Sequence, residues 1–218
     1  MARIARVVVP DLPHHIVQRG VRGMDVFFST KDREEYLKHL REQGKRFGVS
    51  YLAWCLMTNH VHLIAVPKQQ RSLALGIGEA HRRYTRHVNF RQGWRGYLFQ
   101  GRFHSFPLEG SYLHAAIRYV LRNPVRAGIA ETPWDYPWSS ARWFVGEEDE
   151  DPLAVPSSLL DDIADRRSFL LFDEPSLSEF RKHTRSGRPL GTERFITRLE
   201  HQTGRLLRPR KRGPKPRS

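Results

Sequence analysis

Two histidines, His60 and His62, lie two residues apart in the segment "NHVHLIAVP", which otherwise has the composition of a buried strand. Successive side chains on a strand point to opposite faces of the sheet, so both imidazoles point the same way. Two imidazoles on one face can chelate a divalent ion from a rigid support. The alternative is a pair of half-exposed polar side chains at a hairpin that bind no ligand, and the pair alone does not exclude it.

A second candidate group lies near the middle of the chain, where Tyr119 and Asn123 are four residues apart on a predicted helix. Residues at i and i+4 lie on one helix face. A phenol nucleophile and an amide oxygen ligand could therefore face the same ion. The alternative is amphipathic packing, with Tyr119 as a half-buried aromatic ring and Asn123 as a helix cap before Pro124.

The elements that must position these residues are predicted in the order β-α-β-β-α-β, followed by one further helix. That order is typical of the ferredoxin-like, or split β-α-β, fold. The predicted fold class is therefore α+β, with an antiparallel sheet whose two helices pack on one face and leave the other face free. The predicted strands are 14–20, 49–57, 61–67 and 97–109, and the predicted helices are 29–48, 72–89 and 111–123.

The composition changes after residue 146, where the acidic run "GEEDEDP" begins. We predict three parts: a main domain at 1–146, an acidic and irregular or partly helical connector at 147–186, and a short helix with a basic tail at 187–218. No function follows from the acidic stretch between 147 and 179. The final segment "RPRKRGPKPRS" is basic, contains prolines and is expected to be unfolded when alone.

The charge balance favours a polyanionic partner. The 218 residues include 37 Lys and Arg against 23 Asp and Glu, a net charge of +14, and basic proteins gain affinity for nucleic acids by releasing condensed counterions. A basic but otherwise ordinary enzyme is the alternative. A single cysteine excludes a disulfide within the chain, and the short N-terminal apolar run predicts neither a signal peptide nor a membrane partner. We expect a cytoplasmic, nucleoid-associated protein.

Basic and aromatic side chains alternate in "AHRRYTRHVNFRQGWRGY", where Tyr84, Phe90 and Trp94 lie among arginines. Guanidinium groups bind phosphates, and aromatic faces stack on unpaired bases for about 1–3 kcal/mol each. The alternatives are a solvated basic helix face and, for the C-terminal tail, a disordered solubilising segment. The candidate DNA contacts are Arg19, Arg22, Arg82, Arg83, Arg86, Trp94, Arg102, Arg118, Arg208, Arg210, Lys211 and Arg212.

Several segments together resemble one family. "NHVHLIAVP" resembles the His-hydrophobic-His motif of the HUH superfamily of single-strand DNA nucleases, and "RYVLRNPVRAG" resembles the catalytic helix of its single-tyrosine transposases, of the IS200-like family. "WDYPWSS", "HHIVQRG" and "LFQGRF" are similar to segments of the REP-associated tyrosine transposase branch. The resemblance spans residues 5–143. One departure is Thr58, where such proteins often have proline before Asn-His.

The resemblance implies a metal-dependent single-strand DNA endonuclease and strand transferase that acts beside palindromic hairpins. Tyr119 would attack a phosphodiester and form a 5′-phosphotyrosine, while His60, His62 and Asn123 would bind Mg²⁺ or Mn²⁺. The residues also allow a non-catalytic protein that binds single-stranded nucleic acid on a ferredoxin-like sheet. The oligomeric state is open between a monomer and a homodimer.

Overall fold

The computed structural model describes residues 5–172 and 177–209, apart from the side chains of residues 177–179. The predicted order β-α-β-β-α-β is confirmed. These six elements are β1 His14–Arg19, α1 Thr30–Phe47, β2 Val49–Leu56, β3 His60–Pro67, α2 Ser72–Gln92 and β4 His104–Pro107. The helices that follow are α3 Gly110–Leu121, α4 Asn123–Arg126, α5 Ala141–Phe144, α6 Arg166–Leu171, α7 Leu177–Ser186 and α8 Glu193–Thr203.

The four strands form one antiparallel sheet in the order β2-β3-β1-β4, and the predicted ferredoxin-like α+β class is confirmed. The register places His62 of β3 opposite Val17 of β1, and His60 opposite Arg19. The two central strands therefore bring the His-hydrophobic-His motif beside the end of β1.

Helix α1 begins and ends as its sequence predicts. The Ser29 hydroxyl accepts a hydrogen bond from the Asp32 amide at 3.3 Å, and Gly48 adopts the left-handed conformation at φ 67° that glycine tolerates best. The buried Asp32 carboxylate also accepts two hydrogen bonds from the Arg91 guanidinium of α2. This bidentate pair ties the two helices together on one face of the sheet.

The prediction that the other face of the sheet is free was wrong. Helix α3 lies across that face, and its buried residues Leu113, Ile117 and Val120 pack in one cluster with Ile64 of β3 and Phe106 of β4. A helix with an apolar stripe must bury it, and the uncovered sheet face was the available apolar surface. The candidate site residues therefore lie at the margin of a covered face.

Two predicted boundaries also need correction. The predicted strand 97–109 is reduced to His104–Pro107, because Gly101 takes φ 64° and turns the chain out of the extended conformation. The predicted helix 111–123 ends at Leu121, and Pro124 lies in the first turn of the separate helix α4 instead of closing α3. Glu109, not Ser111, occupies the N-cap position.

The predicted connector packs closely against the sheet domain. Its buried side chains Leu160, Leu170 and Phe180 join the same apolar cluster as α3, and the indole of Trp54 donates a hydrogen bond to Asp151 at 2.8 Å. Among its described residues are the helices α6 and α7. The domain boundaries themselves stay a prediction. None of the helices in the described ranges is long and apolar enough to cross a membrane.

The fold should be less stable at acidic pH because it buries several neutral histidines. Burial lowers the pKa of His14 to about 4 and the pKa of both His15 and His81 to about 3. In the unfolded chain these imidazoles take up protons near pH 6.5, so below that pH the unfolded state binds more protons than the folded one. The free energy of unfolding should therefore fall as the pH drops from 6.5 towards 4.

At pH 5 each such histidine should cost about 2 kcal/mol of stability relative to pH 7.5. Urea denaturation at the two pH values measures the difference. An unfolding free energy that is equal at both would contradict the burial of these neutral imidazoles.

Candidate active site

The structure brings four predicted residues to one cavity. His60 and His62 of β3, Tyr119 of α3 and Asn123 of α4 all line a cavity of about 610 Å³ at the margin of the sheet. The two imidazole rings are 5.1 Å apart between centroids, and the ring of Tyr119 is 5.5 Å from that of His62. The phenol is half-buried and reaches the cavity, so it is not enclosed in the core.

A third histidine, His15 of β1, orients His62. Its Nε2 lies 3.0 Å from Nδ1 of His62, and the two rings stack at 5.3 Å with an interplanar angle of 8°. Burial, followed by the neighbouring His15 and His60, holds the pKa of His62 well below its usual value. Because Nδ1 is engaged by His15, Nε2 is the nitrogen of His62 that is left to bind a ligand.

His60 is held in a similar way. Its Nδ1 lies 2.7 Å from the side-chain oxygen of Asn59, and burial, helped by Arg19, lowers its pKa to about 4. At neutral pH it is therefore an uncharged imidazole with Nε2 available. Metal-binding histidines commonly have their second ring nitrogen fixed in this manner.

Tyr119 is surrounded on several sides. Its ring stacks on Phe180 of α7 at 5.0 Å and 21°, and the guanidinium carbon of Arg126 lies 4.3 Å from the ring centroid. Arg126 also donates a hydrogen bond to the Tyr119 carbonyl at 2.7 Å. Burial lowers the pKa of Arg126, and a phenolate at Tyr119 would raise it.

Asn123 follows the break between α3 and α4. Its amide nitrogen donates to the Tyr119 carbonyl at 3.2 Å, which leaves the amide oxygen as a possible ligand. The predicted ligands thus offer two imidazole nitrogens and one neutral amide oxygen. Gln18, Gln100, His104 and Thr184 also line the cavity, and no carboxylate is among the described lining residues. Nowhere in the described chain do three or more His, Cys, Asp or Glu side chains form a group that could hold a metal ion.

This donor set fits a divalent ion only in part. Three neutral protein ligands leave coordination positions that phosphate oxygens and water would have to fill, and imidazole favours Mn²⁺ over Mg²⁺. The three residues are therefore compatible with an ion that binds together with an anionic substrate.

Of the predicted DNA contacts, Arg19 lines the cavity. Others are engaged elsewhere in the structure. Arg82 and Arg83 pair with Glu79 at 2.7 and 2.9 Å, Arg118 lies over the ring of Phe169 at 4.6 Å, and Arg208 pairs with Glu193 and Glu200. These side chains would have to exchange their partners before they could bind phosphate.

Most of the other predicted DNA contacts among the described residues lie at the surface. Arg22, Arg86 and Arg102 are exposed. Trp94 is 41% exposed and meets Phe28 edge-on, and Phe90 is almost fully exposed. Tyr84 is buried, and its hydroxyl donates to the Val26 carbonyl at 2.6 Å, so the prediction that it stacks on a base was wrong. Arg210, Lys211 and Arg212 lie outside the described residues.

The sequence prediction missed, among others, three contributors to the site: His15 behind His62, Arg126 and helix α7. His15 was visible only as one of two adjacent histidines, and Arg126 follows Tyr119 by seven residues, a spacing that repeats on a helix face. The third is helix α7, with Arg181 and Arg185, for which nothing in the local sequence indicated a position near Tyr119.

Comparison with known sequences identifies the family. Residues 8–123, more than half of the chain, match the family described as "Transposase IS200 like". The chain therefore belongs to the IS200-like transposase family and is a DNA-processing enzyme of the transposase class. No curated protein matches the chain.

One solved structure shares the fold at low sequence identity. The structure titled "REP associates tyrosine transposase bound to a REP hairpin" has a TM-score of 0.57 and 16% identity, covering 72% of this chain and 93% of the other. A second one, described as a "putative transposase from deinococcus radiodurans r1", has a TM-score of 0.38 and 19% identity, covering 56% of this chain and 97% of the other.

Proposed function

We propose that this transposase is a metal-dependent single-strand DNA endonuclease and strand transferase that works through a covalent 5′-phosphotyrosine. One observation carries the proposal: Tyr119, His60, His62 and Asn123 line a single cavity, although 63 positions separate His60 from Asn123. A candidate nucleophile and a set of candidate metal ligands in one cavity are the two components of a metal-assisted phosphodiester transfer.

Tyr119 is the proposed nucleophile. Its hydroxyl oxygen would form a bond to phosphorus as the bond from phosphorus to the 3′-oxygen breaks, and the leaving 3′-oxygen would take up a proton. A phenol is a weak nucleophile until it loses its proton. The Arg126 guanidinium, 4.3 Å from the ring centroid, could contact the phosphate under attack. The phosphotyrosine bond conserves the energy of the cleaved phosphodiester. A 3′-hydroxyl could therefore attack it later and rejoin the strand without ATP.

His60 and His62, with Asn123, would hold a divalent cation, Mn²⁺ or Mg²⁺. When bound, that cation would supply Lewis-acid polarisation of the phosphoryl oxygen. The protein's own contribution is to present Nε2 of two uncharged imidazoles whose Nδ1 atoms are engaged.

A DNA hairpin is the proposed substrate. The basic cavity, the exposed aromatic side chains of Trp94 and Phe90, and the shared fold with a transposase that binds a REP hairpin all support it. Incubation of the chain with a labelled single-stranded hairpin and Mn²⁺, followed by denaturing electrophoresis, tests the proposal. A labelled, protease-sensitive adduct that disappears with EDTA is expected. Tight binding without any adduct would instead favour a non-catalytic binding protein.

The contact between His15 and His62 leads to a separate prediction. If His62 binds a cation through Nε2, its proton lies on Nδ1 and is donated to Nε2 of His15. Replacing His15 with Phe removes that acceptor while keeping a ring against His62, so Mn²⁺ affinity should fall by about 10–100-fold. Calorimetric titration with Mn²⁺ in the presence of a bound oligonucleotide measures it.

Thermal unfolding provides the control for His15→Phe. The variant should still fold, because the about 1–3 kcal/mol cost of leaving Nδ1 of His62 unpaired is partly offset by the loss of Nδ1 of His15, which is itself buried without a hydrogen-bond partner. An unchanged Mn²⁺ affinity in a folded variant would show that His15 does not orient His62.

A further inference from the structure

Helix α7 of the connector forms one wall of the cavity around Tyr119. Phe180 is buried and stacks on the ring of Tyr119 at 5.0 Å, and it also meets the edge of His15 at 6.2 Å. The same helix also packs on β1 and β4, where His183 lies 5.8 Å from Phe106. These contacts fix which side chains of α7 face the cavity.

Two of those side chains are cationic. Arg181 and Arg185 are four residues apart, lie on one face of α7 and line the cavity together with Arg19 and Arg126. Lys182, on a different face, does not line it. Within the described residues, none of the four arginines forms an ion pair.

Some arginines elsewhere in the described chain pair with carboxylates and others do not, so what sets these four apart is that they share one cavity. Arg82, Arg83, Arg91, Arg167 and Arg208 all pair with carboxylates, even though the chain carries 14 more positive than negative charges. The four guanidinium groups have no ion pairs, and no described carboxylate lines the cavity around which they lie. They therefore repel one another, and an anion in the cavity would relieve that repulsion.

The position of these arginines indicates which anion would bind in the cavity. The scissile phosphate would lie at Tyr119 between the two imidazoles, so the strand must continue on either side of it. Arginine binds phosphate oxygens through two parallel hydrogen bonds and is well suited to a backbone phosphate. A strand bound in the site would therefore place a flanking phosphate close to the arginines of α7.

We propose that Arg181 and Arg185 bind a backbone phosphate that flanks the scissile one, so that the connector completes the DNA-binding site of the transposase. This inference rests on the proposed function for the position of the strand. It assigns a role in substrate binding to a segment that lies outside the family match at residues 8–123.

The test compares two double variants that each remove two positive charges. One is Arg181→Gln with Arg185→Gln. The control is Lys182→Gln with Arg194→Gln, since both of these residues are exposed and neither lines the cavity. Both are made in the Tyr119→Phe chain, and the affinity for a labelled single-stranded hairpin is measured over a range of salt concentrations.

The inference predicts at least a 10-fold loss of affinity for the arginine variant beyond that of the control. The salt slope should also be lower by about 0.7 for each phosphate that the protein no longer neutralises. Arg181→Lys with Arg185→Lys should recover part of the affinity, because charge is kept while paired hydrogen bonding is removed. Equal losses of affinity in the arginine variant and the control, or tighter binding by the arginine variant, would overturn the inference.

The outcome is separable from that of the proposed function, because binding by the Tyr119→Phe chain requires no covalent step. A wild-type chain that forms no adduct, with binding that depends on Arg181 and Arg185, would refute the nuclease and support the phosphate site. A wild-type chain that forms the adduct, with binding indifferent to both arginines, would refute the phosphate site alone.

Discussion

Replacing Tyr119 with Phe is expected to abolish the covalent adduct and to lower the rate of strand cleavage by a factor on the order of 10⁴ or more. The substitution removes only the hydroxyl oxygen, which is the atom proposed to attack phosphorus. The ring that stacks on Phe180 and lies beneath Arg126 is retained. Folding and hairpin affinity should therefore stay close to those of the wild-type chain. Single-turnover cleavage of a labelled hairpin in Mn²⁺ measures the effect.

Tyr112 provides the matched control, because it is a half-buried tyrosine on the same helix that does not line the cavity. Tyr112→Phe should cleave at close to the wild-type rate. Cleavage by Tyr119→Phe at a rate similar to that of Tyr112→Phe would assign the nucleophile to another group, such as an activated water.

Removing the imidazole of His60 or His62 is expected to reduce Mn²⁺-dependent cleavage by about 10³-fold, which corresponds to several kcal/mol of transition-state stabilisation. His60→Ala is the more informative change, since this side chain is half-buried and its removal leaves little empty volume in the core. His62→Gln keeps a polar side chain at a buried position beside His15. Both variants should also bind Mn²⁺ more weakly in calorimetric titrations with an oligonucleotide present.

His201→Ala serves as the control, because this histidine is exposed on α8 and does not line the cavity. It should behave as the wild-type chain does in both measurements. If His60→Ala and His62→Gln keep the wild-type response to Mn²⁺, the two histidines are not metal ligands.

Much of the fold could be predicted because its signals are local. The serine and glycine that bound α1, and the β-rich runs that became β2 and β3, act through backbone preferences of residues close in sequence. The proximity of Tyr119 and Asn123 is also local, because Asn123 donates a hydrogen bond to the Tyr119 carbonyl although α3 ends at Leu121. These parts of the candidate site were accessible without coordinates.

The remaining parts depend on tertiary packing. Phe180 is buried against Tyr119 although 61 residues separate them, and the connector's weak pattern gave no indication of that contact. The engagement of Arg118 by Phe169 and of Arg82 by Glu79 likewise follows from the partners that folding supplies. Charge along the sequence predicted a basic protein, but it did not predict which cations stay without a carboxylate partner.

The central claim is that Tyr119 becomes covalently joined to DNA, and mass spectrometry of the adduct tests it most directly. Trypsin cleaves after Arg118 and Arg122, so the peptide 119–122 would carry the attached nucleotide after nuclease digestion. We predict the added mass of a nucleotide 5′-phosphate on this peptide, and only when Mn²⁺ was present. The same mass on the peptide that contains Tyr112, or no modified peptide in a reaction that cleaved the DNA, would contradict the account.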